Sequence, residues 1–482
     1  MNAMEWQRLI RTQACTVVGL GRSNLPLIDL LLSWGARVVA RDQKARDELG
    51  EICSRLEAQG VRVIAGEGYL DRIDEDIIFR SPGLRPDLPA FVSACKRGAI
   101  LTSEMELFLE LCPATVIGIT GSDGKTTTTT VTGLLLEQAC QRRGKGRVWV
   151  GGNIGAPLLP LVGQMCADDF AVVELSSFQL QTMQRSAHIA AITNVTPNHL
   201  NWHTDMAEYT EAKTNVYRHA PCKSLVLNAE NEATRQLGSD CTLPVLWFSP
   251  TRHTPLDFKE LCREKDGAVY LDGDLITLWD GRVERRLLNR KDILLPGKHN
   301  LENYMTAIAL CREWITPEDV SAVASSFLGV RHRLERVRTL DGIAYYNSSI
   351  DSTPTRTAAA LSALDPIRPI VICGGYDKHV PFAPLAESLF AHAKAVVLTG
   401  ATADAIEAAL NAHAATVKRQ LPTYKEPDFT RAVTLAHRLS ERGDTVLLSP
   451  ACASFDAFRD FEARGDRFCE IVNGFKAKNE NQ

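Results

Sequence analysis

The sequence lacks the features that would place it in a special class of proteins. Its 482 residues are 45% hydrophobic, 23% charged and only 7% aromatic. This composition is typical of globular proteins and excludes collagen-like, disordered and small disulfide-scaffold chains. The 54 basic and 58 acidic residues leave a formal net charge of −4. Charge therefore gives no indication of binding to nucleic acid or to a membrane surface.

Paired cysteines and a membrane span are also missing. The 13 cysteines are scattered singly, without a CxxC pair, which favours reduced thiols in the cytoplasm over a secreted disulfide framework. The first residues lack the basic and then apolar layout of a signal peptide. The longest uncharged stretch, residues 148–167, contains four glycines and two prolines, which is typical of loops and phosphate-site turns. We therefore expect a soluble, intracellular protein.

Short apolar strands alternate with amphipathic helices along three segments, which predicts an α/β protein built on mainly parallel sheets. At roughly 150 residues per domain, the length also predicts about three domains. We place their boundaries at residues 1–111, 112–328 and 329–482. The pattern further predicts a helix over residues 24–33, a strand over 37–40, and helices over 206–220 and near 300–314.

The strongest local signal is TGSDGKT, residues 120–126, which follows an apolar strand and opens a helix. That context is typical of a phosphate-binding loop, because glycines and a helix N-terminus present N–H groups to phosphate oxygens. Lys125 would neutralise the β- and γ-phosphates, and Thr126 would bind Mg²⁺. The general pattern expects glycine where Ile119 stands. The alternative is a glycine-rich turn leading into a helix.

Two turns near the N-terminus give weaker signals. Gly19-Leu-Gly21-Arg22-Ser23-Asn24 resembles a dinucleotide-binding fingerprint without its third glycine, and Asp42 stands at the right distance for a ribose contact. A plain strand-to-helix turn explains this segment equally well. Ser81-Pro82-Gly83 follows another strand, at the sheet edge where ligands bind in parallel sheets.

Four further side chains are candidates whose isolated signals are ambiguous. Glu174 ends a buried strand, where it would serve as a metal ligand or as a helix cap. His199 follows the next strand and reads equally as a turn residue. Lys213 lies on a predicted helix, where solvated lysines are common. Arg333, in HRLE (332–335), would reach a γ-phosphate or form a structural ion pair.

In this order and spacing, the motifs resemble those of the Mur ligases, ATP-dependent amide-bond-forming enzymes of peptidoglycan precursor synthesis. The resemblance covers nearly the whole chain, and it rests on TGSDGKT, GGNIG (151–155), ELSSFQL (174–180), NVTPNHLNWH (194–203), EAK (211–213), HNLEN (299–303) and HRLE. ICGGYDK (372–378) and SPACASFDAFRDFEARGDRF (449–468) are similar to the branch that adds D-glutamate. The DNPR segment expected in the ligase that adds a diamino acid is absent.

The resemblance implies an N-terminal Rossmann-like domain for a uridine diphosphate substrate, a central P-loop ATPase domain and a C-terminal Rossmann-like domain for the amino acid. It implies an ATP site formed by Gly118, Thr120, Gly121, Ser122, Asp123, Gly124, Lys125, Thr126, Thr127, Asn300, Asn303 and Arg333. The implied metal ligands are Thr126, Glu174, His199 and Lys213. The implied UDP-substrate contacts are Arg22, Ser23, Asp42, Ser81, Pro82, Gly83 and Asn153. The implied D-glutamate contacts are Ser352, Lys378, Ser454, Phe455 and Phe461.

Lys213 occupies the position that is N-carbamylated in this family. A carbamate would turn a cation into an oxygen donor for a second Mg²⁺. The amine must first lose its proton, and since its reference pKa is about 10.4, this requires a perturbing site.

The chain departs from the resembling branch at residues 347–353. Where NDSKATN is common, this sequence has Asn-Ser-Ser-Ile-Asp-Ser-Thr. Ser348 and Ile350 replace the usual aspartate and lysine, so the roles of those two residues do not transfer. Asp351 is a candidate for a displaced carboxylate, and Ser352 keeps a hydroxyl that could contact D-glutamate.

The function implied is ligation of D-glutamate to UDP-N-acetylmuramoyl-L-alanine through an acyl phosphate, with Lys125, Glu174, His199, Lys213 and Arg333 as the catalytic set. The resemblance implies a need for ATP and two Mg²⁺ ions, and a cytoplasmic monomer without nucleic-acid or membrane partners is expected. Three alternatives stay open at this point. They are another amide ligase on the same scaffold, a nicotinamide oxidoreductase using residues 19–42, and a catalytically inactive nucleotide-binding regulator.

Overall fold

The computed structural model describes residues 3–200, 202–295, 297–378 and 380–477. Asn201, within the NVTPNHLNWH motif, lies outside the described residues. The chain forms two compact units, one comprising Met1–Ile293 and Lys298–Ser325, the other Leu294–Gly297 and Ser326–Gln482. The first unit holds two sheets and the second holds one. The predicted α/β class is therefore confirmed, whereas the boundaries at residues 111 and 328 stay a prediction.

The first sheet has five parallel strands in the order β3-β2-β1-β4-β5. Its strands are β1 (Ala14–Val18), β2 (Arg37–Asp42), β3 (Arg62–Ala65), β4 (Ile77–Arg80) and β5 (Ile100–Thr102). Its helices are α1 (Ala3–Thr12), α2 (Asn24–Ser33), α3 (Arg46–Leu49), α4 (Glu51–Ala58), α5 (Pro89–Lys96) and α6 (Glu104–Leu111). The strand order reverses at β1. In Rossmann-like sheets such a reversal opens a crevice at the carboxyl edge, where ligands bind.

The second sheet has nine strands in the order β14-β13-β12-β11-β10-β9-β6-β8-β7. Its strands are β6 (Thr115–Thr120), β7 (Val148–Gly152), β8 (Phe170–Glu174), β9 (Ile189–Ile192), β10 (Ser224–Asn228), β11 (Val245–Phe248), β12 (Gly267–Asp272), β13 (Leu275–Trp279) and β14 (Glu284–Asn289). All pairs from β6 to β12 are parallel, and β13 and β14 add an antiparallel edge. The strands of the parallel part are almost continuously buried, as expected for a sheet covered on both faces.

Helices α7 to α12 accompany the second sheet. They are α7 (Lys125–Arg143), α8 (Ser177–Leu180), α9 (Met206–Thr214), α10 (Glu232–Asp240), α11 (Lys298–Cys311) and α12 (Pro317–Ala324). Short 3₁₀ helices span Leu159–Gln164, Pro255–Phe258 and Arg290–Asp292. The TGSDGKT segment connects the end of β6 at Thr120 to the start of α7 at Lys125, as predicted.

The second unit is built on a six-stranded sheet in the order β15-β16-β20-β17-β18-β19, antiparallel only between β15 and β16. Its strands are β15 (Glu335–Leu340), β16 (Ile343–Asn347), β17 (Ile370–Cys373), β18 (Ala395–Leu398), β19 (Thr423–Lys425) and β20 (Thr445–Leu448). Its helices are α13 (Pro354–Ala363), α14 (Ala383–His392), α15 (Ala403–Val417), α16 (Phe429–Leu439) and α17 (Phe461–Gly474). Separate apolar clusters cover its two faces.

Of the helices and strands predicted from the sequence, two are confirmed and one is shorter than predicted. The predicted helix over residues 24–33 is α2, and the predicted strand over 37–40 extends to Asp42. The helix predicted over 206–220 ends instead at Thr214, because the Asn215 side chain turns to donate a hydrogen bond to the carbonyl oxygen of Leu180 at 2.9 Å. Among the described residues, no helix combines the length and apolarity required to cross a membrane.

Candidate active site

The loop between β6 and α7 has a backbone path that depends on glycine. Gly121 and Gly124 have φ angles of +149° and +78°. A Cβ atom on Gly121 would lie 1.9 Å from Thr193 Oγ1, and one on Gly124 would lie 2.4 Å from Asn303 Oδ1. Any larger residue would force the loop away from its neighbours. The loop therefore has the open, amide-lined form that phosphate binding needs.

Residues after β9 hold this loop in place. Thr193 Oγ1 donates to the carbonyl oxygen of Asp123 at 2.6 Å, and the Asp123 amide donates to Asn194 Oδ1 at 3.0 Å. The Ser122 hydroxyl lies 3.0 Å from the Tyr209 hydroxyl on α9. Two neighbouring strands and α9 thus fix the shape of the loop before any ligand binds.

The predicted adenine-side residues of α11 also contact the loop. Asn303 Oδ1 accepts a hydrogen bond from the Thr128 hydroxyl at 3.2 Å, and Asn303 Nδ2 donates to Asn300 Oδ1 at 3.3 Å. Both asparagines are buried on one face of the helix, as their spacing predicts. Their contact with adenine stays a prediction.

Two lysines converge on one carbonyl oxygen of the loop. Lys125 Nζ donates to Gly121 O at 2.9 Å and to Ser122 O at 2.8 Å, and Lys213 Nζ donates to the same Gly121 O at 2.9 Å. Lys213 is only 1% exposed, and its ammonium lies 4.4 Å from the centre of the Tyr209 ring. Burial, aided by the positive charge of Lys125, holds the pKa of Lys213 well below its ordinary value. The site therefore favours the neutral, nucleophilic amine.

Glu174 presents an oxygen without a protein partner beside the loop. It ends β8, next to β6, and is 2% exposed. Its Oε1 accepts a hydrogen bond from Asn153 Nδ2 at 2.9 Å, whereas its Oε2 has no hydrogen-bond partner among the described residues. A buried carboxylate oxygen of this kind fits a cation ligand. The structure places Asn153, a predicted substrate contact, against this carboxylate.

His199 lies at the rim of the site in an unusual backbone conformation. It has a φ of +56° and is exposed, and its ring packs edge-on against Phe178 at 4.9 Å between centroids. Phe178 also packs on Trp202 and His203. His203 is buried and lies 2.9 Å from the Ser177 hydroxyl, and burial lowers its pKa. An aromatic cluster thus supports the segment that carries His199.

Within residues 3–200, 202–295, 297–378 and 380–477, no group of three or more His, Cys, Asp or Glu side chains could hold a metal ion by itself. The predicted ligands Thr126, Glu174, His199 and Lys213 include only two of these residue types. The binding of a metal ion by these four residues stays a prediction.

The two predicted UDP-binding turns meet at the point where the first sheet reverses. Gly19 has a φ of +90°, and a Cβ atom there would lie 2.7 Å from Ser81 Cβ. Asp42 shapes the turn: its Oδ2 accepts a hydrogen bond from the Leu20 amide at 2.6 Å and its Oδ1 one from the Lys44 amide at 2.9 Å. Arg22 and Ser23 lie on the same turn. The binding of a uridine nucleotide there stays a prediction.

Sequence reasoning missed Arg80, which lies directly before the Ser81-Pro82-Gly83 turn. It is 1% exposed, and it is held without a carboxylate partner in hydrogen-bond contact among the described residues. Its guanidinium donates to the carbonyl oxygens of Pro82 (3.2 Å) and Phe178 (3.1 Å), to the Thr182 hydroxyl (3.2 Å) and to the carbonyl oxygen of Leu84. Arg80 therefore ties the turn to the ELSSFQL segment that follows Glu174. The signal that the sequence offers for this role is an arginine at the end of an apolar strand, directly before a predicted binding turn.

A second set of contacts links the same turn to the His199 segment. Trp202 Nε1 donates to the carbonyl oxygen of Gly83 at 3.1 Å. Arg85 lies over the Trp202 ring at 5.2 Å and pairs with Glu208 at 2.9 Å and Asp87 at 2.8 Å. The bonds from Arg85 lower the pKa of Glu208 to about 2. The predicted UDP-binding turn and the segment that carries His199 are thus directly connected.

In the second unit, predicted amino-acid contacts gather beyond β16, β17 and β20. Lys378 Nζ lies 3.3 Å from the carbonyl oxygen and 3.4 Å from the hydroxyl of Ser352. Phe455 is 65% exposed and lies 6.0 Å from Tyr376 between ring centroids. Ser454 is buried beside it. Lys378 and Phe455 therefore have the exposure that ligand contact requires.

Arg464, on α17, organises these loops and was not singled out by the sequence. It is 2% exposed and donates to the carbonyl oxygens of Ala453 at 3.0 Å and Ser349 at 2.9 Å. The Ser349 hydroxyl in turn donates to the carbonyl oxygen of Phe461, a predicted D-glutamate contact, at 2.8 Å. Burial lowers the pKa of Arg464 to about 10. Its role is to join the segment after β16 to the one after β20.

Comparison with known proteins identifies the family. The family model described as "Mur ligase middle domain" matches residues 119–311, and "Mur ligase, glutamate ligase domain" matches residues 332–452. The chain is 43% identical over 473 residues to the UDP-N-acetylmuramoylalanine--D-glutamate ligase of Clostridium novyi (strain NT), covering 97% of this chain and 98% of that protein. The chain belongs to the Mur ligase family. The phosphate loop, Glu174 and Lys213 described above are thus those of a Mur ligase.

Further comparisons agree with this assignment. The enzyme of the same name from Clostridium kluyveri (strain ATCC 8527) is 44% identical over 475 residues, covering 98% of this chain and 99% of that protein. A solved structure of UDP-N-acetylmuramoyl-L-alanyl-D-glutamate--2,6-diaminopimelate ligase aligns with a TM-score of 0.53 at 18% identity, covering 83% of this chain and 93% of that one. At that identity the similarity concerns the fold alone.

Proposed function

We propose that this Mur ligase joins D-glutamate to UDP-N-acetylmuramoyl-L-alanine in an ATP-dependent step of peptidoglycan precursor synthesis. The observation that carries the proposal is the meeting of the glycine loop, Glu174 and Lys213 at one sheet edge, in a chain at least 40% identical to D-glutamate ligases over nearly its full length. The reaction would consume ATP and release ADP and phosphate.

The chemistry requires activation of a carboxylate. The terminal L-alanine carboxylate attacks the γ-phosphorus, an oxygen–phosphorus bond forms, and ADP leaves with the electron pair of the broken bond. The amine of D-glutamate then attacks the acyl carbon, loses a proton and displaces inorganic phosphate. Lys125 and the amides of the glycine loop would bind the phosphates and counter the charge on the transferring group.

Mg²⁺ is the cofactor that fits the donor groups present. It would be held beside the phosphates by Glu174, the Thr126 hydroxyl and His199. Glu174 offers its Oε2, which has no hydrogen-bond partner within the part of the chain that the structure describes. When bound, Mg²⁺ stabilises the negative charge of the phosphate oxygens. We propose carbamylated Lys213 at a second metal position, because burial lowers the pKa of its amine and the neutral form of an amine can add to CO₂ with loss of a proton.

The remaining substrates would occupy the loops of the first and third sheets. The turns carrying Arg22, Asp42 and Ser81 would hold the uridine diphosphate group, and the loops carrying Lys378 and Phe455 would hold D-glutamate. In this arrangement residues 1–111, 112–328 and 329–482 act as the UDP-binding, ATP-binding and amino-acid-binding domains. We further propose that Arg333 acts on the γ-phosphate and that the enzyme works as a cytoplasmic monomer.

The proposal is tested by measuring phosphate release from ATP with UDP-N-acetylmuramoyl-L-alanine and a panel of amino acids. D-glutamate, L-glutamate, D-aspartate, L-lysine and diaminopimelate are compared, and each product is confirmed by mass. Turnover with D-glutamate alone supports the proposal. Turnover with another amino acid keeps the ligase chemistry but refutes the substrate. ATP binding without turnover on any acceptor favours a regulator.

A further inference from the structure

Asp351 is a buried carboxylate for which the proposed reaction has no use. It lies in the segment that follows β16, is 6% exposed, and accepts a hydrogen bond at Oδ2 from the Ser449 hydroxyl at 2.8 Å. Its amide donates to the carbonyl oxygen of Ser348 at 3.0 Å, and the Ser348 side chain acts to lower the pKa of the carboxylate. The proposed reaction gives Asp351 no contact with a substrate, so we consider a role that passes through its neighbours.

The neighbour is the HRLE segment, residues 332–335. The Ile350 amide donates to the carbonyl oxygen of His332 at 3.1 Å, and the Leu334 amide donates to Ser348 Oγ at 3.2 Å. The segment after β16 therefore binds HRLE on both sides of Arg333. Ser348 is the shared element, because its hydroxyl accepts from the Leu334 amide and its carbonyl oxygen accepts from the Asp351 amide.

HRLE needs this support because its backbone is strained. His332 and Leu334 have φ angles of +62° and +44°, in the left-handed region that large side chains rarely adopt. Such a conformation is unfavourable for residues with a side chain and persists only where the surroundings enforce it. Arg333 lies between these two residues, so its direction depends on them. Its positive charge is attracted to the Asp351 carboxylate.

The charged form of the Asp351 carboxylate does not stabilise the folded protein. Desolvation raises the pKa of Asp351 to about 6, against the effect of Ser348, Ser449, Arg333 and Arg356. The other charged or titratable groups that face it are Arg464 and the buried thiol of Cys373. A carboxyl group whose pKa is raised on folding binds its proton more tightly in the folded state. Stability therefore decreases as pH rises from about 3.9 through 6, and the charged form opposes folding at neutral pH.

We propose that Asp351 is a positioning residue that, together with Ser348, holds HRLE in the strained conformation and fixes the direction of Arg333. The inference rests on the proposed function, in which Arg333 acts on the γ-phosphate. It also explains the departure at residues 347–353. The chain has serine at 348, where the resembling branch has aspartate, and it carries Asp351 three residues later, whose amide donates to the carbonyl oxygen of that serine.

The test begins with Asp351→Asn, which keeps the shape and the hydrogen-bond acceptor for Ser449 but removes the charge. Because a misdirected group costs rate, we expect kcat/KM for ATP to fall about tenfold or more. We expect the melting temperature at pH 7 to stay equal or rise, since the desolvated charge is gone. Wild-type activity should rise with pH through about 6, and the variant should lack this limb of the profile.

Asp444→Asn is the matched control. Asp444 lies in the same unit, pairs with Lys394 at 2.6 Å and is distant in sequence from HRLE. Its replacement should leave kcat/KM and the low-pH limb as in the wild type. An equal loss in both variants would indicate a general effect of removing carboxylates and would overturn the inference.

A double-mutant cycle with Arg333→Ala decides whether Asp351 acts through Arg333. If it does, Asp351→Asn causes no further loss in the Arg333→Ala background. Additive losses, or wild-type activity in Asp351→Asn, would overturn the inference. Failure of the proposed function is seen separately, because wild-type enzyme would then form no D-glutamate product, whatever the variants do.

Discussion

Replacing Arg80 with methionine tests whether its guanidinium joins the UDP-side turn to the segment after Glu174. The substitution removes the donor from its four closer acceptors, which are the carbonyl oxygens of Pro82, Leu84 and Phe178 and the Thr182 hydroxyl, and from the carbonyl oxygen of Ser81 at 3.4 Å. At about 1 kcal/mol net for each hydrogen bond, the loss amounts to about 4 kcal/mol. Methionine is long enough to fill most of the space, so little is added for a cavity.

One effect opposes this loss. Burial lowers the pKa of Arg80 to about 10, which shows that the guanidinium itself is costly to bury. Methionine carries no such cost, so we expect a net destabilisation of about 2–3 kcal/mol rather than the full loss. Since the turn then loses its attachment, KM for UDP-N-acetylmuramoyl-L-alanine should rise while KM for ATP changes little.

The assay is urea unfolding of full-length protein followed by tryptophan fluorescence, with thermal melting as a second measure. Arg97→Met is the control, because Arg97 is exposed and donates to two acceptors, the Ser93 hydroxyl at the surface and the part-buried carbonyl oxygen of Ile73. Its effect should stay within about 1 kcal/mol. If Arg80→Met unfolds within that same range, or if both variants raise KM equally, the guanidinium does not connect these segments and the reasoning is refuted.

The remaining predictions concern the loop, the lysine and the carboxylate beside them. Gly121→Ala should abolish ATP binding in calorimetry, since its Cβ would meet Thr193 Oγ1 at 1.9 Å; wild-type affinity would show that the loop adapts. Lys213→Met should lose at least about 100-fold in kcat yet melt no lower than wild type at pH 7, because a buried lysine with a depressed pKa opposes folding below pH 10.5; near-normal turnover would contradict a role in catalysis. Glu208→Gln should lower the melting temperature at pH 7. The difference in melting temperature from wild type should disappear as pH falls from about 4.3 towards 2, because the pKa of Glu208 is lowered to about 2. A difference that does not depend on pH would contradict the Arg85–Glu208 pairing.

The structure also explains why two lysines can share one small site. Lys125 and Lys213 both donate to Gly121 O, so two full charges there would repel each other. Lys213 is the more buried of the two, and burial together with the charge of Lys125 lowers its pKa. The neighbouring charge and the burial of Lys213 thus act in the same direction.

Local sequence patterns suffice to predict those features that depend on residues close together in the chain. The helix over residues 24–33 and the loop between β6 and α7 follow from local patterns of apolar residues and glycine. Because parallel strands end at a common edge, the positions of Glu174 and His199 after β8 and β9 also placed them at the candidate site. The family resemblance came from the same short motifs.

Contacts between residues far apart in the chain follow from the tertiary structure alone. Arg80 donates to the carbonyl oxygen of Phe178, and Ser449 donates to Asp351, although nothing in their local sequence requires it. Such contacts depend on how helices and loops pack over a sheet, and a single sequence does not encode that packing in any short pattern. For the same reason the burial of Lys213 depends on how α9 packs against the glycine loop, which its own helix does not specify.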